Sequence, residues 1–284
     1  MLESDIKNFW QTHTCGAELV GDMTSDERAG YAEFFARYDA YRYDKESHIL
    51  ANLDRIDFRG KRVLEIGLGQ GADAEQIARR GGQFSGVDLT DEAVERTRTR
   101  FALKGLEFDT IEQASALELP FADNTFDIVF SHGVLHHIPD IHAAQGEIAR
   151  VLDAGGMLVA MLYAKRSLNY LLSISVLRRL GLLALYGSNV SPGGIYAKHL
   201  DNARRLGIRR YLAMKNFINV STDGPLNPYS KVYGLSDVRR DFPDFQIISA
   251  SRHFMHAPPL PVKWLPLAGV LGWHLWVTMK PKNK

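Results

Sequence analysis

The chain has 284 residues, 45% of them hydrophobic, enough for one large core or for a core domain carrying an elaborate insertion. Lys and Arg total 34 against 33 Asp and Glu, and the formal net charge of +1 excludes the basic footprint of a nucleic-acid binder. The single cysteine, Cys15, excludes an internal disulfide and a Cys-rich metal cluster, and reads as a small buried apolar residue in a reducing compartment.

Residues 1–60 read as a polar helical cap with aromatics at Tyr31, Phe34, Phe35, Tyr38, Tyr41 and Tyr43. The first ten residues are charged and lack an apolar h-region, so no signal peptide is expected and a cytoplasmic location is the simplest one. From Lys61 short β-branched runs alternate with amphipathic helical stretches, the pattern of a parallel sheet covered on both faces. Strands are expected at Arg62–Ile66, Gln83–Asp88, Glu107–Ile111, Phe126–Ser131 and Met157–Leu162. Helices are expected near Asp73–Arg80, Asp91–Leu103 and Ile141–Leu152.

Residues 165–235 break that rhythm and read as a helical lid or substrate insertion. They hold an apolar helix over Leu168–Tyr186 and a basic helix with Arg204, Arg205, Arg209 and Arg210. Residues 236–284 complete the core with a last helix and an antiparallel edge pair at Phe245–Ser251 and His274–Met279. The expected fold is α/β, a doubly wound, mostly parallel seven-stranded sheet, with residues 61–164 as its cofactor-binding core. Leu171–Tyr186 is broken by two arginines and Trp264–Met279 is too short, so neither reads as a membrane span.

The central motif is VLEIGLGQG, residues 63–71. A buried strand delivers the chain to a turn in which glycines allow positive φ and close backbone approach, at the carboxyl edge where open α/β sheets bind ligands. Gly67, Gly69 and Ala72 also satisfy the dinucleotide pattern G-x-G-x-x-G/A, with Asp88 near the distance expected of a ribose ligand, so an NAD-dependent oxidoreductase stays open at this point. Glu65 separates the two. A carboxylate two residues before Gly67 suits a methionine ammonium and a sulfonium, and gives a pyrophosphate nothing.

Residues 61–163 resemble the class I S-adenosylmethionine-dependent methyltransferases, those with a type 11-like domain. The resemblance rests on VLEIGLGQG, on GVDLT at 86–90, on ALELPFADNTFDIVFSHGVLHHIPD at 116–140, and on EIARVLDAGGMLVAML at 147–162. It implies a Rossmann-like fold and S-adenosylmethionine (SAM) as cofactor, with S-adenosylhomocysteine as product; the His136-His137 pair invites a metal reading, but no Cys or carboxylate stands at ligand spacing from it in the sequence, so no metal is expected. It implies that Gly67, Gly69 and Gly71 lie beneath the methionine part, that Asp88 binds the ribose, and that Leu89 lies against the adenine. Ser131 and His132 would line the methionine side. Many relatives carry an Asp where this chain has Ser115; Ser115 or the Ala116 N–H would then meet the adenine. A non-catalytic SAM-binding partner protein is a second alternative that this departure keeps open.

In-line methyl transfer needs alignment, and a hydroxyl acceptor also needs a base. His136, His137 and His132 follow the fourth strand and titrate near neutrality, with His136 the first choice; all three also fit structural roles. Arg42, beside Tyr43, suits the methionine carboxylate and equally a solvated helix face. Tyr163 fits an acceptor contact and equally a packing role. The leucine-rich insertion and the C-terminal tryptophans point to a small acceptor, apolar or lipid-linked, with O-methylation favoured, no nucleic-acid partner and a peripheral membrane contact.

Overall fold

The computed structural model describes residues 2–13, 21 and 28–282. Cys15 lies outside the described residues. Seven strands form one sheet in the order β3-β2-β1-β4-β5-β7-β6. They are β1 Arg62–Ile66, β2 Gln83–Asp88, β3 Thr110–Gln113, β4 Phe126–His132, β5 Leu152–Tyr163, β6 Phe245–His253 and β7 His274–Pro281. β1 to β5 pair in parallel, and β7 runs antiparallel between β5 and β6.

The central strands are apolar along nearly their whole length because helices cover both faces. One core cluster holds Leu64, Ile66, Val129, Leu158 and Ala160 with Ile148 of the helix Ile141–Val151. The other holds Val63, Ile128, Phe130 and Val159 with Ile77 and Phe101 of the helices Ala72–Arg79 and Asp91–Lys104. Thr90 caps the second of those helices and Asp140 caps Ile141–Val151, each accepting a backbone N–H in the first turn.

Two sequence expectations shift. The third strand starts three residues later than expected, at Thr110. The fifth begins at Leu152, because the Gly155–Gly156 stretch is a bulge within the strand rather than a turn before it. A Cβ on Gly156 would stand 2.9 Å from the Asp153 carbonyl, so the bulge requires glycine there.

Strand order reverses direction between β1 and β4, which opens a crevice at their carboxyl ends. The N-terminal helix Arg28–Lys45 is pinned beside that crevice by a buried charge. Arg100, wholly inaccessible, donates to Asp39 of that helix, to Glu75 at 2.8 Å and to the Gln70 carbonyl at 3.2 Å, and stacks on Phe35. One guanidinium thus joins the cap, the glycine loop and the helix that follows it.

Residues 165–235 are helical and irregular. The apolar stretch is a π-helix over Asn169–Arg178 running into an α-helix over Arg179–Tyr186. Arg178 does not flank it as a surface charge; it turns inward and donates to the Ser221, Pro258 and Asn169 oxygens. No helix among the described residues is long and apolar enough to cross a membrane. Trp264–Met279 resolves into turns, a short helix and β7.

Replacing Arg100 by Met strands Asp39 and Glu75 without their shared partner. The expected cost is about 3–5 kcal/mol in urea unfolding; a loss below about 1 kcal/mol would contradict the pinning role.

Candidate active site

A cavity of about 230 Å³ opens at the carboxyl ends of β1, β2 and β4. Its floor is the glycine turn. Gly67 has φ 88°, and a Cβ there would lie 2.1 Å from Val134 Cγ2, in the loop after β4. Gly69 has φ 53° and meets nothing within 4 Å, because it faces the cavity. Gly71 departs from expectation. It does not line the cavity; its left-handed conformation starts the helix Ala72–Arg79, and its bare face packs on Thr97 and Arg100.

Glu65 and Asp88, at or near the tips of adjacent strands, line this same cavity. Asp88 accepts N–H bonds from Leu68 at 2.8 Å and Thr90 at 2.9 Å, which hold it against the turn. Burial raises its pKa and these hydrogen bonds oppose the rise. Glu65 is 2% exposed, and its Oε2 has no hydrogen-bond partner among the described residues. Burial, reinforced by Asp73, holds its carboxyl well above the usual range, while Arg42 opposes.

Leu89, Ser115 and Ala116 line the cavity where the resemblance puts the adenine. Ser115 Oγ donates to Glu3 of the helix Leu2–Thr12, which brings Glu3, Ile6 and Trp10 over the same cavity. Arg42 lines the opposite part and is not a solvated surface group. It donates to Asp73 at 2.6 Å and to His132 Nδ1 at 3.0 Å. Tyr43 donates to the Ala72 carbonyl at 3.1 Å. Ser131 corrects expectation: it is buried away from the cavity and donates to the Ile66 carbonyl at 3.0 Å, tying β4 to β1.

The histidines reorder. His136, expected first as the base, is fully buried and does not line the cavity, because the 3₁₀ turn Leu135–His137 points it into the core beneath Tyr163, 3.8 Å between ring centroids. Burial, with His137 beside it, holds its imidazole far below neutrality. His132 lines the cavity, yet burial and then Arg42 depress its basicity strongly. His137 is the one shaped for proton transfer. A carbonyl can only accept, so the 2.8 Å bond to the Tyr229 oxygen fixes a proton on Nδ1 and leaves the Nε2 lone pair free in the neutral ring. Nε2 makes no hydrogen bond and lies 3.5 Å from Asp223 Oδ2, whose other oxygen accepts from Tyr163 at 2.7 Å.

Tyr163 and Asp223 also line a second, wider cavity of about 1180 Å³, between the sheet edge and the insertion. Asp223 had no sequence signal: it sits in the insertion, and only folding carries it to His137. Tyr163 stacks on Trp273 at 4.5 Å, so it is both wall and packing partner.

The family model described as a methyltransferase domain matches residues 64–160. A ubiquinone biosynthesis O-methyltransferase from Azoarcus sp. (strain BH72) is 30% identical over 194 residues, covering 65% of this chain and 78% of that protein. The chain belongs to the class I S-adenosylmethionine-dependent methyltransferases. A fatty-acid O-methyltransferase from Mycolicibacterium smegmatis is 40% identical over 104 residues, but that match spans only 36% of this chain and 37% of that protein's length. Among solved structures, a SAM-dependent methyltransferase from Aquifex aeolicus superposes with a TM-score of 0.51 at 13% identity, covering 90% of this chain and 98% of that one. One from Mesorhizobium loti gives 0.51 at 15%, covering 81% and 95%. These two share the fold.

The residues of this methyltransferase fit SAM. An unpartnered buried carboxylate oxygen on Glu65 suits the methionine ammonium, Gly69 leaves room for the chain of the cofactor, and Asp88 lies on the cavity wall where the resemblance puts the ribose. When bound, SAM supplies an electrophilic methyl group on a positively charged sulfur. Membership of this family sets aside the nicotinamide reading.

Glu65→Gln separates stability from binding. A carboxyl whose folded pKa is raised stabilises the fold below its unfolded value, and that contribution disappears as pH rises through the folded value. The variant should therefore melt higher than wild type at alkaline pH in the absence of cofactor, yet bind S-adenosylhomocysteine more weakly by roughly 1.5–3 kcal/mol. Unchanged affinity by calorimetry would remove Glu65 from the ammonium site.

Proposed function

We propose that this methyltransferase transfers the SAM methyl group to an oxygen of a small apolar or lipid-linked acceptor, with His137 as general base. The observation that carries this reading is the His137 ring on the wall of the narrower cavity, whose proton is fixed on Nδ1 by the Tyr229 carbonyl and whose Nε2 lies 3.5 Å from Asp223, a residue that lines both cavities. A hydroxyl entering from the wider cavity loses its proton to Nε2 as its oxygen attacks the methyl carbon in line with sulfur. Asp223, held by Tyr163, stabilises the imidazolium that forms. Two relatives support oxygen as the acceptor atom, since their names are O-methyltransferases of fatty acids and of ubiquinone biosynthesis.

Acceptor class follows from the wider cavity and its rim. Tyr163, Trp273 and Phe254 wall it, while Ile195, Leu226 and Trp264 stand exposed at its edge, Trp264 by 74%. Apart from the inward-turned Arg178, residues 165–222 hold nine Lys and Arg against one acidic residue, Asp201, and also expose Leu171, Leu180 and Leu183. An apolar rim on a cationic surface suits a lipid-water interface with anionic head groups. On this reading the enzyme works in the cytoplasm, peripheral to the membrane.

His137→Ala should lower kcat for a hydroxyl acceptor by about 10²–10⁴-fold with S-adenosylhomocysteine affinity kept. Mass-spectrometric screening of apolar alcohols, phenols and acids beside polar amines supplies the acceptor; methylation confined to amines, or turnover unaffected in the variant, would overturn the proposal. On the membrane side, flotation with vesicles rich in phosphatidylglycerol should carry the protein at low salt and release it at high salt. Equal recovery with neutral phosphatidylcholine vesicles would count against charge-guided docking.

A further inference from the structure

Where the two cavities meet, the chain gathers a set of side chains that methyl transfer alone does not use. Glu46 follows the helix Arg28–Lys45, His132 ends β4 and His274 begins β7. One ligand atom from each lies within 4.8 Å of the other two. Glu46 and His274 line both cavities, and His132 lines the narrower one.

We propose that Glu46, His132 and His274 form a binding site for a divalent transition-metal ion, of the zinc or cobalt class, at the junction of the cofactor and acceptor cavities. Two imidazoles and one carboxylate are the donor set that such ions take in open catalytic sites, leaving further positions for water or substrate.

Three observations support it. First, His132 Nε2 is buried and has no hydrogen-bond partner among the described residues, in a side chain only 5% exposed. An orphaned imidazole nitrogen on a cavity wall is a costly feature unless a ligand meets it. Second, groups of the kind that orient metal-bound histidines stand beside both rings. Asp73 Oδ2 lies 3.6 Å from His132 Nδ1, and His48 Nε2 lies 3.1 Å from His274 Nδ1. Arg42 donates to His132 Nδ1 at 3.0 Å, so metal binding requires Arg42 to give up that contact and stay on Asp73, with Nδ1 then protonated toward Asp73 and the Nε2 lone pair presented to the ion.

Third, the cavity is acidic beyond what the cofactor neutralises. Glu3, Glu46, Glu65, Asp73, Asp88 and Asp223 line it against Arg42, the one Lys or Arg among the described residues there. SAM carries a sulfonium, an ammonium and a carboxylate, which leaves one net positive charge, so the wall still favours a further cation. The three ligand atoms must close inward, since bonds of about 2.0–2.1 Å in a tetrahedral site set donors about 3.3 Å apart. An ion there would lower the pKa of an oxygen bound in its open position. That consequence rests on the oxygen-acceptor reading above, whereas the binding itself does not.

The test uses untagged full-length protein stripped with a chelator and titrated with Co²⁺. One equivalent should bind with visible d–d absorption, Zn²⁺ should displace it, and Cu²⁺ in its place should give an electron spin-echo signature of two imidazoles. Glu46→Gln and His274→Asn should each weaken Co²⁺ binding at least tenfold, while His137→Ala leaves it unchanged. Folding of each variant is followed by thermal melting, and S-adenosylhomocysteine binding by the wild-type protein separates failure of this site from failure of the enzyme reading. Wild-type protein that binds S-adenosylhomocysteine but no stoichiometric Co²⁺, copper spectra without two imidazoles, or Co²⁺ affinity indifferent to Glu46→Gln would each overturn the proposal.

Discussion

A carboxylate kept out of water beside a second acid is the constraint on which this molecule turns. Glu65 sits in the most buried strand of the sheet, with Asp73 next to it and one oxygen without a partner. Such a group destabilises the isolated fold, and it makes physical sense only beside something positive that enters from outside. The arrangement around it follows from that demand. The glycine turn clears the space, Asp88 is tethered by backbone N–H groups at its edge, and Arg42 is held by Asp73 so that it balances part of the negative charge.

The scaffold keeps these groups in place by joining elements far apart in sequence. Arg100 binds the N-terminal helix to the glycine loop, Ser131 ties β4 to β1, and the Tyr229 carbonyl sets the tautomer of His137 from the insertion. The insertion therefore does more than cover the acceptor. It contributes Asp223 and Tyr229 to the region where proton transfer is proposed, and it puts Ile195, Lys198 and Leu226 on the wall of the wider cavity.

Much of this was legible in the sequence, for identifiable reasons. Strand and helix periods located the core, and Glu65 and Asp88 declared themselves because they stand at or near the ends of consecutive buried runs, where polar residues need a purpose. Local pattern misled where direction mattered. His136 and His137 are neighbours in sequence, and only the turn geometry decides that the first points inward and the second toward the cavity. Gly71 and Ser131 carry the right motif but serve packing and strand pairing. Asp223, Glu46 and His274 had no local signature, since each joins the site through tertiary folding from a separate part of the chain.

The most direct measurement is calorimetry of S-adenosylhomocysteine binding, across a pH series, in buffers of different ionisation enthalpy. A carboxyl whose pKa is raised in the free protein gives up its proton when an ammonium arrives, so the observed heat should vary with buffer in the sense of net proton release, and Glu65→Gln should remove that dependence. Buffer-independent heats, or release that persists unchanged in the variant, would contradict the account.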